Sequence, residues 1–283
     1  MLRDKLTIRK IDEQFKGNPR NRRFPWYLWA VMGLVVCLGI TLLVITNPFT
    51  PTTPVRTDSL KAAIVDQLSE TSPNPAFIQH VTLELQNTGF TVDLYKADDV
   101  TVNFYRQLPG HGYKLIIFRV HAGLLENNAG SGSNIWLFTS QPYSRLQFYL
   151  AQLRNQVTAA KVTNTTDNVF AVSAGFITDC VRHNFNNTVI INMGCSAFSS
   201  PEIAQAYVQR GASAFIGWDA NVGISYADDA TSALVDKLCA QNQTIKQATD
   251  ETVNEKGPDP NNQAFLHFYP QSTTDKTILQ LTK

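Results

Sequence analysis

Two apolar runs constrain this chain more than any other feature. Leu115-Ile116-Ile117-Phe118-Arg119-Val120 leads into His121, and Val189-Ile190-Ile191-Asn192-Met193-Gly194 leads into Cys195. Both are short and rich in Ile and Val, which predicts strands buried on both faces. Each run ends in one reactive side chain followed by small residues, Ala122-Gly123 in one case and Ser196-Ala197 in the other. Two such strands in one sheet put a histidine and a cysteine at its carboxyl edge, where open α/β sheets bind ligands. A lone cysteine there is usually a small core residue, and a lone histidine is usually just hydrogen-bonded. Together they suggest a thiol nucleophile with an acid/base partner.

The rest of the C-terminal part alternates strands and helices. Strands are expected at 62–65, 90–95, 134–138, 214–218 and 265–269. Asn74-Pro75 opens a helix carrying Phe77, Ile78, Val81 and Leu85, and Asp98-Asp99 caps the next one. Helical spacing recurs over 143–154 (Leu146, Tyr149, Leu150, Leu153), 178–185, 203–208, 227–240 and 244–256. Residues 124–133, with Asn127, Asn128, Gly130 and Gly132, read as a flexible loop. The expected architecture is a three-layer αβα domain around a mostly parallel sheet. Its crossovers should be right-handed.

The N-terminus is different. Residues 1–25 carry eight Lys/Arg against three Asp/Glu, and residues 26–46 carry no charge. About 20 apolar residues span a bilayer as a helix. Trp26, Tyr27 and Trp29 sit at the basic edge of the run, as interfacial aromatics do. The positive leader predicts a single-pass protein with its N-terminus in the cytoplasm and its main domain outside the cell. The run is long for a cleaved signal peptide and lacks an A-x-A site, so an uncleaved anchor is expected. The organisation is then a basic leader (1–25), a transmembrane helix (26–46), a Pro/Thr-rich spacer (47–58) and one domain (59–283).

Of the chain's 24 Lys/Arg and 23 Asp/Glu, 16 and 20 lie beyond the leader, a net of −4. No basic stripe remains to bind nucleic acid. Three Asn-x-Thr triplets, at Asn164, Asn186 and Asn242, are weakly consistent with export. Cys180, Cys195 and Cys239 lie in the outer domain. Being odd in number they leave at least one thiol free, or paired between chains. A Cys180–Cys239 disulfide would spare Cys195, and three separate buried thiols fit equally well. His/Cys spacing for zinc is missing, and no metal or cofactor is expected. His111 reads as part of a surface turn, and His80, His183 and His267 have no partner pattern.

On these residues the chain resembles the caspase-like cysteine peptidases of clan CD, with CHAT and gingipain-like domains closest. The likeness lies in a strand ending in His near a Gly and a later strand ending in Cys. It continues through Pro201-Glu202-Ile203-Ala204, Arg210-Gly211-Ala212 and Ala214-Phe215-Ile216-Gly217-Trp218, with Asp228-Asp229-Ala230-Thr231 opening the next helix. It covers roughly 61–270. The resemblance implies a caspase-like fold and a Cys195–His121 dyad cleaving peptide or protein substrates. Backbone N–H groups of Cys195 and of Ala122 or Gly123 would hold the oxyanion. Two departures stand out. Ala122 separates His121 from Gly123, and Asn192-Met193-Gly194 lacks the Asp that accompanies a basic preference.

A thiol attacks as its thiolate. Nearby His121 and the N-terminus of a helix opening at Ser199-Ser200-Pro201-Glu202 are expected to lower the Cys195 pKa. Asn192, Trp218 and Asp219 are candidates for a substrate cleft, while Asp219, Asp228 and Asp229 read more simply as helix caps. Cysteine peptidase is the first reading. A catalytically inactive caspase-like domain that binds or senses at the cell surface is the second.

Overall fold

The computed structural model describes residues 60–124, 135–162 and 167–283. The leader, the apolar run 26–46, the loop over 125–134 and the Asn164 triplet lie outside the described residues. Among the described residues no helix is long and apolar enough to cross a membrane.

The protein is mixed α/β with a mostly parallel sheet. Five strands run parallel: β1 (Lys61–Asp66), β2 (Thr91–Lys96), β3 (Leu115–Arg119), β8 (Thr188–Asn192) and β9 (Ala212–Trp218). The order is β10-β9-β8-β3-β1-β2, with β10 (Leu266–Tyr269) antiparallel at one edge. A second, four-stranded antiparallel sheet has the order β4-β5-β7-β6. It is inserted between β3 and β8 and consists of β4 (Ala122–Leu124), β5 (Ile135–Pro142), β6 (Val157–Lys161) and β7 (Asn168–Ser173).

Period-two alternation in the parallel strands divides two cores, as a pleated sheet with both faces covered requires. Ala62, Ile64, Leu115, Ile117, Val189 and Ile191 pack toward α1 (Pro75–Asn87), α6 (Ile224–Val235) and α7 (Ile245–Lys256). Ala63, Val65, Ile116, Phe118, Ile190 and Phe215 face the other way. They meet α2 (Val102–Gln107), α4 (Ala174–Asp179), α5 (Glu202–Gln209) and the second sheet. The result is three layers, with the extra sheet on one side.

Several boundaries differ from the sequence reading. Asn74 does cap α1, accepting from the Phe77 N–H. Asp98 and Asp99 form a short 3-10 turn instead of a cap, and Thr101 caps α2 by accepting from the Phe104 N–H. The 143–154 helix shrinks to α3 (Tyr149–Leu153). Its apparent core stripe points outward, with Leu146 88%, Leu150 68% and Leu153 63% exposed. The 178–185 helix lies earlier, at α4, capped by the Ser173 hydroxyl. The 227–240 helix begins at Ile224 and ends in a π turn, Asp236–Ala240. Cys180 packs against one core and Cys239 within the other, so their pairing is excluded and both are free thiols.

Asp228 opens no helix. It lies within α6, 4% exposed, and binds Arg119. Arg119, itself 1% exposed, donates Nε and Nη2 to the two Asp228 oxygens at 2.7 and 2.9 Å. Its Nη1 donates to Asp66 at 2.8 Å and its Nη2 to the Ser72 carbonyl at 2.7 Å. Removing one partner of a buried pair leaves an uncompensated charge and costs about 3–5 kcal/mol. Asp228→Ala should therefore lose about that much in chemical denaturation, while Asp229→Ala, whose side chain is largely exposed, should stay close to wild type.

Candidate active site

β1, β3 and β8 are neighbours, and the chain leaves β1 toward β2 on one side before returning to β3 on the other. The carboxyl ends of β1 and β3 thus flank a topological switch point, where such sheets bind ligands. His121 follows β3 and Cys195 follows β8. Both are half-buried.

Gly194 presses the two strand ends together. A methyl group at this position would lie 2.7 Å from the Ala122 Cβ and 3.0 Å from the Val120 carbonyl oxygen. Its N–H donates to the Asn192 side chain at 3.2 Å. Immediately after Cys195 the chain turns sharply, with Ser196 left-handed at φ 59°. For a non-glycine residue this conformation is uncommon and concentrates at functional sites. The Ser196 N–H to the Ala220 carbonyl (2.8 Å) and its hydroxyl to Asn221 (2.9 Å) hold the turn.

Cys195 and His121 border one cavity of about 20 Å³, walled also by Leu68, Val120, Met193 and Val222. That is room for about one water. Two larger cavities, of about 490 and 570 Å³, touch neither residue.

Burial pushes the Cys195 thiol above its ordinary value of 9.0. The Val222 N–H works against this, reaching the sulfur at 3.4 Å. The expectation of a lowered thiol is overturned because desolvation outweighs the nearby donors. Burial, and then the Arg119 charge, hold His121 below 6.5. Burial thus favours the neutral form of each group, the Cys195 thiol and the His121 imidazole. The backbone N–H of His121 donates to the Gln67 side chain at 3.0 Å, and its ring leans on Phe138 at 6.1 Å between centroids.

Ladder geometry sorts the backbone donors. Phe138 N–H donates to the His121 carbonyl, and β4 pairs antiparallel with β5 through Ala122↔Leu137 and Gly123↔Trp136. Alternation puts Gly123 in the next bonded position and leaves the Ala122 N–H on the side away from β5. The Ala122 nitrogen is 3.3 Å from the Cβ position of Gly194. The Ala122 N–H therefore points away from β5, on the side of Gly194, while the Gly123 N–H is spent on the ladder.

The three cleft candidates lie elsewhere. Asn192 and Trp218 are each 1% exposed, and neither lines the cavity. Asp219 accepts from the Phe265 N–H (2.7 Å) and pairs with His267 (2.9 Å), tying β10 to β9. Arg119, Asp66 and Gln67 are structural partners of the site that the sequence reading missed. Set in an apolar strand, Arg119 gave no sign of its buried ion pairs. His80, Glu84 and Asp236 have ligand atoms within 4.8 Å of one another, with His80 paired to Asp236 at 2.8 Å.

No protein family matches the chain, and no curated protein does. Among solved structures it is similar to the Arg-specific cysteine proteinase gingipain R, at 16% identity and a TM-score of 0.42, over 72% of this chain and 44% of that one. The chain thus spans less than half of gingipain R. It is also similar to protein GSU0716 from Geobacter sulfurreducens, at 9% identity and a TM-score of 0.39, over 77% of this chain and 96% of that one. The chemistry of the site is read from its own geometry.

Two outcomes follow. Alkylation of Cys195 by iodoacetamide, followed by mass spectrometry, should accelerate steadily with pH through 9, because the buried thiol supplies little thiolate below that. A plateau near pH 7 would contradict the assignment. Gly194→Ala should part the two strand ends, destabilising the fold by about 1–3 kcal/mol as overpacking does and at least doubling the alkylation rate at fixed pH.

Proposed function

We propose that the protein is a cysteine peptidase of caspase-like type, anchored by residues 26–46 with its main domain outside the cell. The observation carrying the chemistry is that Cys195 and His121 border one cavity at the carboxyl ends of adjacent parallel strands. His121, neutral across the working range, takes the thiol proton as the Cys195 sulfur bonds to the carbonyl carbon. The Ala122 and Cys195 N–H groups receive the oxyanion; such a donor is typically worth about 2.7–4 kcal/mol of barrier. His121 then gives the proton to the amine nitrogen, the C–N bond breaks, and a thioester remains. Water, losing a proton to His121, attacks that thioester, and the returning proton releases the Cys195 thiol.

Cys195→Ala and His121→Ala should each abolish hydrolysis of a peptide library with little change in unfolding midpoint. The double variant should be no worse than either single one, since the two act as a unit. Activity should fall on the acid side only below pH 6.5, where the depressed His121 finally protonates. Activity surviving Cys195→Ala would reject the proposal.

The narrowness of the cavity favours the second reading, a surface binding module without catalysis. In that case the unaltered protein releases no products from the same library.

The anchor rests on the uncharged run and basic leader, and exposed Asn186 and Asn242 agree with an outward domain. Protease added to intact cells should remove everything beyond Pro54 and spare residues 1–25. A soluble product starting near Asn47 would show a cleaved signal instead. Val35→Lys with Leu38→Glu should abolish anchoring.

A further inference from the structure

α3 and the turn before it leave four large apolar side chains in solvent. Leu146, Tyr149, Leu150 and Leu153 are 88, 58, 68 and 63% exposed. The segment is nevertheless held to the core. Phe148 packs edge-on against Phe170, and Ala151 is buried. Gln152 Nε2 donates to the carbonyls of Ser144 and Gln147, and its Oε1 accepts from the Tyr143 hydroxyl. Polar groups of the turn are thus bonded within it while its leucines face outward. A contiguous apolar patch of this kind marks an interaction surface.

Arginines border the patch. Arg145 and Arg154 flank it in sequence, and both are exposed. Arg106 lies over the Phe148 ring and lines one cavity with Tyr149, Leu150 and Arg154. Among the described residues none of these three has an ion-pair partner. Asp179, an acid in the neighbourhood, accepts from Gln156 Nε2 at 2.9 Å. Three cations without counter-ions thus surround an apolar patch, although the chain beyond residue 25 is net −4. A second copy brought face to face across a two-fold axis would set the arginines against one another. Anionic lipid satisfies both features, because leucines enter the acyl boundary while arginines stay at headgroup level. The chain itself supplies such a surface. Its proposed anchor ends at residue 46, and the spacer 47–58 reaches at most about 40 Å when fully extended. That tether keeps the domain at high local concentration beside the bilayer.

We propose that Leu146, Tyr149, Leu150 and Leu153, with Arg106, Arg145 and Arg154 around them, dock the domain onto anionic lipid of the membrane that carries it. The choice of occupant rests on the anchor reading of residues 26–46 and is independent of the peptidase reading.

The test uses the full chain reconstituted into phosphatidylcholine vesicles with or without phosphatidylglycerol. Hydrogen–deuterium exchange is followed by mass spectrometry in a peptide spanning 144–154, with 245–256 in α7 as the control. Exchange over 144–154 should be at least threefold slower in the anionic vesicles, with the control unchanged. High salt should remove the difference, as should Leu150→Ser, and Arg145→Gln with Arg154→Gln should do the same without touching the apolar patch. Equal rates in the two kinds of vesicle would overturn the proposal. So would protection that grows with protein concentration in both kinds, which would assign the patch to a second copy. Equal rates combined with protection by polyglutamate would assign it to an acidic protein instead. Flotation after a carbonate wash reports the anchor separately. Protein stripped from the vesicles would refute the anchor and the tether with it, whereas protein that floats yet shows equal rates would refute the docking alone.

Discussion

The carboxyl ends of β1 and β3 are tied to α6 by the buried cation of Arg119. Three separate parts of the chain converge on it: Asp66 at the end of β1, the Ser72 carbonyl in the following turn, and Asp228 in α6. Such a network does not rank as a large net stabiliser, because desolvating the charges costs nearly what their attraction returns. Its effect is geometric. Every carboxylate oxygen and N–H in it has a required direction, so the ends of β1 and β3 and the position of α6 become interdependent. Asp66 stays above the usual carboxylate range through burial, even beside Arg119. His121 lies two residues beyond the end of β3 and feels the same cation, which helps keep it neutral.

Neutrality gives the site its chemical character. A thiolate–imidazolium pair needs solvent or dipoles to support both charges. Here burial penalises the charged form of each partner, raising the thiol and lowering the imidazole. The proton would therefore move during attack instead of beforehand. Gly194 lets the ends of β3 and β8 approach closely, and the cavity that both side chains border is small.

The parallel sheet was legible because its central strands β3 and β8 are apolar runs buried on both faces. Asn74-Pro75 and Thr244 also carried local helix-start chemistry that the structure keeps. The second sheet was not legible in full. Val157–Lys161 and Asn168–Ser173 are stabilised by pairing with each other and with β5, information that no local window contains. The spacing of Leu146, Leu150 and Leu153 imitated a core-facing helix, although those side chains are exposed. His121 and Cys195, which border one cavity, announced their strand-end positions. Asp228 did not, since an acid near a helix start reads as a cap until Arg119, 109 residues away, is seen to hold it.

The most direct test of the proposed Cys195–His121 dyad is the titration of the His121 imidazole by NMR, using labelled histidine and His121→Gln for assignment. The account predicts a midpoint below 6.5, and a shifted midpoint once Cys195 is replaced by serine or blocked by alkylation. A midpoint at 6.5 or above that ignores the state of Cys195 would show that the two side chains do not share a site, and would contradict the account.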